Sequence, residues 1–153
     1  MFSVIIKTLA KILGTFGLVG YLPLAPGTWG SLAGAAVWWF LLPAGPTLQI
    51  TLLLIAIVAG TWAASVMINS TGQNDPAIVV VDEVAGMWVA LLAAPKEPIY
   101  FAAAFLLFRL FDIWKPWPIS KAEEAPSGYG VMLDDLLAGL ITLVLLKMGY
   151  AWL

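Results

Sequence analysis

Cysteine and histidine are both absent from the 153 residues. That excludes a disulfide framework, a Cys nucleophile, a phosphohistidine, a Ser-His-Asp triad and a Cys/His zinc site. Charge is scarce as well. Only 10% of residues are charged, 62% are hydrophobic, and the mean hydropathy is +0.98. A soluble domain is nearer half apolar and about one quarter charged, so lipid is the natural solvent for this chain. The net charge of −2 excludes the basic footprint of a nucleic-acid binder. What remains for chemistry is nine carboxylates, seven Lys or Arg, hydroxyls and the backbone.

The N-terminal stretch Met1–Leu13 carries Lys7 and Lys11 four residues apart, on one helical face. Phe2, Ile5, Ile6, Leu9, Ile12 and Leu13 cover much of the remainder. The pattern suits a helix lying in the membrane interface, and equally a short first helix of a bundle. The two lysines and the lack of a cleavage signature argue against a signal peptide. Five apolar segments follow, over residues 31–42, 47–68, 83–94, 99–114 and 131–153. A full crossing needs ~20 residues, so the short segments 31–42 and 83–94 must be extended, tilted or set in thinned bilayer. Backbone in lipid satisfies its own hydrogen bonds best as helix. The expectation is therefore an all-α, polytopic membrane helix bundle. It is a single domain over residues 1–153, with about five membrane segments behind the N-terminal interfacial helix.

The connectors alternate. Residues 42–47, with Pro43, Gly45 and Pro46, and residues 94–98 are tight turns, which join antiparallel helices. Residues 21–30, 69–76 and 115–130 are longer, and polar or rich in Gly and Pro. Counting crossings puts all three long connectors on one face. Asp75, Asp82 and Glu83 then sit at the start of the third segment, and Arg109, Asp112 and Lys115 at the end of the fourth. Asp134 and Asp135 sit in the first turn of the fifth. With Glu123 and Glu124, eight of the nine carboxylates gather there, and only Glu97 is opposite. Lys7, Lys11, Lys115 and Lys121 share that face, so the positive-inside rule makes it cytoplasmic.

Acids opening a helix complement its dipole, which is a sufficient structural reason for Asp82 and Glu83. Asp134-Asp135 is harder to explain that way. Adjacent anions in an apolar segment repel and resist desolvation, and a bound cation relieves both penalties. Oxygen-only ligands suit Mg²⁺ or Mn²⁺. Arg109 and Asp112, three apart, can pair on one helical face, and Lys115 is one turn further on. Pro116 and Pro118 end that helix. In Pro23–Ser31, Gly27 permits close backbone approach, and Thr28 and Ser31 are candidate N-caps at a helix start able to hold an anion. Gly30 with Gly34, and Gly86 with Ala90, are small pairs suited to close helix packing. The eight Trp read mostly as interface anchors.

At these residues the chain resembles the phosphatidylglycerophosphatase A family. The matching stretches are Ala25-Pro26-Gly27-Thr28 through Ser31-Leu32-Ala33, Asp82-Glu83 with Gly86-Met87-Trp88, the run Phe108–Ile119, and Gly128–Asp135 with Ala138-Gly139. The most specific is Arg-x-x-Asp-x-x-Lys-Pro-x-Pro at Arg109–Pro118. Val81 stands where some members carry an aromatic, and the loop Lys121–Ser127 looks individual. The resemblance implies an Mg²⁺-dependent enzyme of the bacterial inner membrane that removes the terminal phosphate of phosphatidylglycerophosphate.

The expected site follows. Asp82, Glu83, Asp134 and Asp135 bind one or two Mg²⁺, with Asp112 a further ligand or base. Lys115, with Arg109, stabilises charge on the transferring group. Gly27, Thr28, Ser31 and Lys115 hold the phosphate. A covalent aspartyl-phosphate is left open. The alternative function is an ion-coupled membrane transporter using intramembrane carboxylates. An alcohol phosphotransferase is disfavoured, because the Asp-Gly-x-x-Ala-Arg opening of that chemistry is missing. A purely structural subunit leaves the acidic pairs without purpose.

Overall fold

The structure, a computed structural model, describes residues 2–40, 45–92 and 94–150. The turn expected at 42–47 lies partly outside these residues, Pro43 included. The expected segment ends at 41–42 and 151–153, with Trp152, lie outside them too. Among the described residues the regular elements are all helical: α1 (Phe2–Gly14), a 3-10 turn (Val19–Tyr21), α2 (Pro26–Phe40), α3 (Pro46–Thr71), α4 (Val81–Leu91), α5 (Pro98–Trp114), α6 (Ile119–Glu123) and α7 (Gly128–Tyr150). The all-α class expected from the sequence is what is found.

Among the described residues two helices are long and apolar enough to cross a membrane, Pro46–Thr71 and Gly128–Gly149. Leu48, Ile50, Leu54, Ile55, Val58 and Trp62 of α3 are exposed, a continuous apolar surface that suits lipid better than water. Proline at the first position starts α3 and α5, where its missing N–H costs nothing. Gly72, in the left-handed region at φ 73°, closes α3 with its N–H on the Ile68 carbonyl.

The centre of the bundle is α4. It packs most extensively on α7 and α2, and also on α3 and α5. Eleven residues rise only about 16 Å, half of the ~30 Å hydrocarbon core. Val81, Val84, Ala85, Met87, Ala90 and Leu91 are all buried, so other helices, not lipid, surround it. Its neighbours come close through small residues. A Cβ on Gly139 of α7 would overlap the Gly86 carbonyl of α4. Gly34 of α2 lies against Val84, and its carbonyl accepts the Trp88 indole N–H at 2.9 Å. Trp38 and Trp88 pack with centroids 6.1 Å apart.

Four expectations need correction. First, α2 begins at Pro26, five residues before the expected start at Ser31, because proline can occupy the first turn. Thr28 and Ser31 are therefore inside the helix and do not cap it; the Ser31 hydroxyl donates to the Gly27 carbonyl at 2.8 Å. Second, α7 begins at Gly128, so Asp134 and Asp135 stand well inside it and not in its first turn. Third, the connector 115–130 contains α6, anchored by the fully buried Ile119. Fourth, Trp38 and Trp88 are core residues, whereas Trp29, Trp62, Trp114 and Trp117 are exposed as expected of anchors.

The N-terminal helix α1 packs against α3 through Ala10 and Gly14, leaving Val4, Ile5, Leu9 and Ile12 exposed. The Val80 N–H donates to the Gly14 carbonyl at 2.8 Å, which ties the end of α1 to the start of α4.

Candidate active site

A cavity of about 730 Å³ opens where the start of α2, the end of α3, the start of α4, the end of α5 and the first half of α7 converge. Asp75, Asp82, Glu83, Asp112, Glu123, Glu124, Asp134 and Asp135 all line it. These are the eight carboxylates that the crossing count assigned to one face. Gly27, Arg109 and Lys115 line it as well, but Thr28 and Ser31 do not.

The first turn of α4 and the middle of α7 supply the deepest acids. Carboxylate oxygens of Asp82, Glu83 and Asp135 lie within 4.8 Å of one another. Asp82 Oδ1, Glu83 Oε2 and Asp135 Oδ2 are buried and have no hydrogen-bond partner among the described residues. Unpaired buried carboxylates are costly, and three aimed at one place are costlier, because like charges add repulsion. A hard divalent cation would satisfy all three oxygens at once. The donor set therefore fits such an ion, and fits a soft or thiophilic metal badly.

Asp134 is placed differently from this trio. Its Oδ2 accepts from Lys115 Nζ at 2.6 Å, and its Oδ1 from the Asp135 N–H at 3.0 Å. Lys115 is the last-turn cap of α5, in the left-handed region at φ 46°. A β-carbon makes that conformation unfavourable, and strain of this kind concentrates at functional positions. Here it turns the lysine away from α5 toward α7. Lys115 also donates to Glu123 Oε1 at 2.7 Å. Burial acts to lower the Lys115 pKa, but the hydrogen bonds to Asp134 and Glu123 outweigh it and hold the ammonium above its ordinary value. The lysine is thus a fixed positive charge facing the acids.

Arg109 and Asp112 form the ion pair expected from their spacing. Arg109 Nε is buried without a partner among the described residues, so that N–H remains available to a further acceptor. Gly27 allows the start of α2 to approach: a Cβ there would overlap Glu83 Oε1 and sit 3.1 Å from Arg109 Nη1. The overlap is with the end of a side chain, so Gly27→Ala should leave the fold intact while moving Glu83. Activity should fall about 10- to 100-fold, as small displacements at a reacting centre do. Steady-state rates beside a thermal melt would check this, and an unchanged rate would remove Gly27 from the site.

A family model described as Phosphatidylglycerophosphatase A matches residues 12–150. The chain belongs to the phosphatidylglycerophosphatase A family. The match covers every residue lining the cavity. Among curated relatives, the Phosphatidylglycerophosphatase A of Escherichia coli K12 is 35% identical over 136 residues, 87% of this chain and 79% of that protein. The one from Haemophilus influenzae is 34% identical over 132 residues, 84% and 81% of the two chains. A Bacteroides thetaiotaomicron protein provisionally named a phosphatidylinositol-3-phosphatase is 42% identical over 149 residues, 92% and 93%. No solved structure matches. Membership makes the chain a phosphatase enzyme.

For this phosphatidylglycerophosphatase A family member, the sequence places Asp75 and Glu123 on the acidic face without a role in the site, and does not single out Asn74; all three line the cavity. Asn74 and Asp75 precede α4. Burial pushes the Asp75 pKa up, Lys115 offsets this, and Glu123 and Asp112 add to it. The third is Glu123, whose contact with Lys115 required α6 to be known. The signal available in the sequence was only that each belongs to a long connector on the acidic face.

Proposed function

We propose that this enzyme hydrolyses the terminal phosphomonoester of phosphatidylglycerophosphate, giving phosphatidylglycerol and inorganic phosphate. The observation that carries the reading is the trio of buried, partnerless carboxylate oxygens of Asp82, Glu83 and Asp135 opposite Lys115. That arrangement balances a cation and a phosphate in one cavity. The names of the two phosphatidylglycerophosphatase A relatives supply the lipid.

Asp82, Glu83 and Asp135 would hold Mg²⁺, with Asp134 beside them. When bound, the ion supplies Lewis-acid charge to the phosphoryl oxygens. The chain's own groups do the rest. Lys115, aligned by Asp134, stabilises charge that develops on the transferring group. Arg109 keeps one donor for a phosphoryl oxygen while its ion pair orients Asp112. Asp112 is the candidate base for the attacking water. Water adds at phosphorus as Asp112 takes its proton, the bond to the glycerol oxygen breaks, and that oxygen leaves as the alcohol with a proton from solvent, to which Asp112 later returns its own. The Gly27 backbone packs against the phosphate end of the cavity, and Thr28 and Ser31 support the start of α2 from within the helix.

The chain's setting follows from the same features. We read α2, α3, α4, α5 and α7 as five segments in the inner membrane, with α4 enclosed by the others and covering only part of the hydrocarbon depth, and α1 at the interface. Lys7, Lys11, Lys115 and Lys121 favour a cytoplasmic cavity. At headgroup depth a cavity takes the phosphate while the acyl chains stay in lipid. A transporter has little support, since α3 carries no charged residue along its length.

A second reading is favoured by the 42% identity to the phosphatidylinositol-3-phosphatase relative: a phosphoinositide as substrate. One experiment decides between them. Detergent-purified protein is incubated with phosphatidylglycerophosphate, phosphatidylinositol 3-phosphate and phosphatidic acid, with Mg²⁺ or with chelator, and released phosphate is measured. Release from phosphatidylglycerophosphate alone, lost in chelator, is expected. Release from the inositol lipid alone would establish the second reading, and release undiminished by chelator would remove the metal.

A further inference from the structure

Arg109 and Lys115 are the two cationic side chains that line the cavity among the described residues, against eight carboxylates. An incoming phosphate monoester therefore meets net negative charge, and its binding depends on how far these two cations are already shared with carboxylates. Arg109 is paired with Asp112. Lys115 has three donors and gives two of them to carboxylates, one to Asp134 and one to Glu123.

These two partners are unequal. The Asp134 side chain is 5% exposed, and its second oxygen is fixed by the Asp135 N–H. The Glu123 side chain is 48% exposed, and an exposed ion pair contributes little. The backbone of α6 is held: carbonyls of Glu123 and Ala125 abut Gly130, where a Cβ would come within 2.5 Å of either. The Glu123 carboxylate can thus swing off while its helix stays.

We propose that Glu123 is a displaceable stand-in for the substrate's phosphate, occupying on Lys115 a hydrogen-bonding position that a phosphate oxygen takes in the loaded enzyme. It keeps the ammonium poised toward the cavity in the empty enzyme and sets the affinity for substrate and for product phosphate together. The inference rests on the reading of the cavity as a phosphate site.

The test compares Glu123→Gln with Glu124→Gln in the full chain. Glu124 is on the rim and pairs with Lys121, so its variant removes an equal charge one residue away. KM for the lipid phosphate and the inhibition constant for inorganic phosphate are measured in each. In Glu123→Gln both constants should fall about two- to fivefold, the range expected from losing one exposed ion pair. In Glu124→Gln, whose charge adds only a screened field at the rim, both should move less than about twofold. Unchanged constants in Glu123→Gln would overturn the proposal, and so would a raised KM, which would make Glu123 a positioning residue for Lys115. An equal fall in both variants would reduce the effect to general field. If the unsubstituted protein releases no phosphate from any lipid, the activity reading fails separately. Equilibrium dialysis of labelled inorganic phosphate then decides: tighter binding to Glu123→Gln supports displacement, and equal binding overturns it.

Discussion

Replacing Asp82 by Asn is expected to lower phosphate release on the order of 10³-fold, as the loss of a preorganised charge in a dry site does. The same variant should melt at a higher temperature than the unsubstituted protein when both are in chelator. Both effects follow from the same three oxygens. With a cation present, Asp82, Glu83 and Asp135 are neutralised in common. Without it, three buried carboxylates with partnerless oxygens repel one another, and removing one charge relieves the fold. A carboxylate with a purely structural role behaves in the opposite way, because Asn would then break a favourable contact. Melts in detergent with Mg²⁺ and with chelator, beside rates, measure both. An Asn variant that keeps its rate and melts lower in chelator would show that the trio holds the bundle together and binds no ion.

Gly139→Ala should damage the fold itself. The new Cβ would overlap the Gly86 carbonyl, and a backbone oxygen in the middle of α4 cannot step aside as a side-chain tip can. Forcing the two helices apart costs about 1–3 kcal/mol or more, enough to halt accumulation of a marginal protein. Gly86→Ala meets the same obstacle from the other side, at 2.6 Å from the Asp135 carbonyl and 2.6 Å from Phe108 Cε2. Gly149→Ala is the control. It lies in the same helix with nothing within 4 Å, and alanine favours helix over glycine. Thermal melts and the folded fraction on size exclusion report the difference. If Gly139→Ala melts with the unsubstituted protein, α4 and α7 are less tightly apposed than described.

The acidic face was legible in the sequence because hydropathy and turn chemistry count crossings without reference to side-chain contacts. Pro46, Pro98 and Gly72 mark helix ends in the manner that local stereochemistry dictates, and the eight carboxylates converge where the count put them. The division of labour among them was not legible. Asp134 and Asp135 are neighbours with the same chemistry, yet one bonds Lys115 while the other points at Asp82 and Glu83. Only the rotation of α7 about its axis separates them. The left-handed turn at Lys115 was equally hidden, since lysine gives no sign of adopting a positive φ. The apolar pattern of residues 83–94 reads as a short membrane segment and does not reveal its enclosure by other helices, because a helix buried by protein and one buried by lipid have the same composition. Trp38 and Trp88 misled for a related reason: tryptophan serves both the interface and a core, and which one applies depends on the neighbour.

The enclosure of α4 has a consequence for how the protein is made. As the chain leaves the ribosome, α4 emerges ahead of both α5 and α7, two of the four helices that wrap it. It is too short to be held by the bilayer alone, and it carries Asp82 and Glu83. Until α7 arrives, those acids have α2 and α3 on one side but neither the α7 wall nor Asp135 beside them. The acidic cavity is therefore complete only once α7, which supplies Asp134 and Asp135, has joined the bundle.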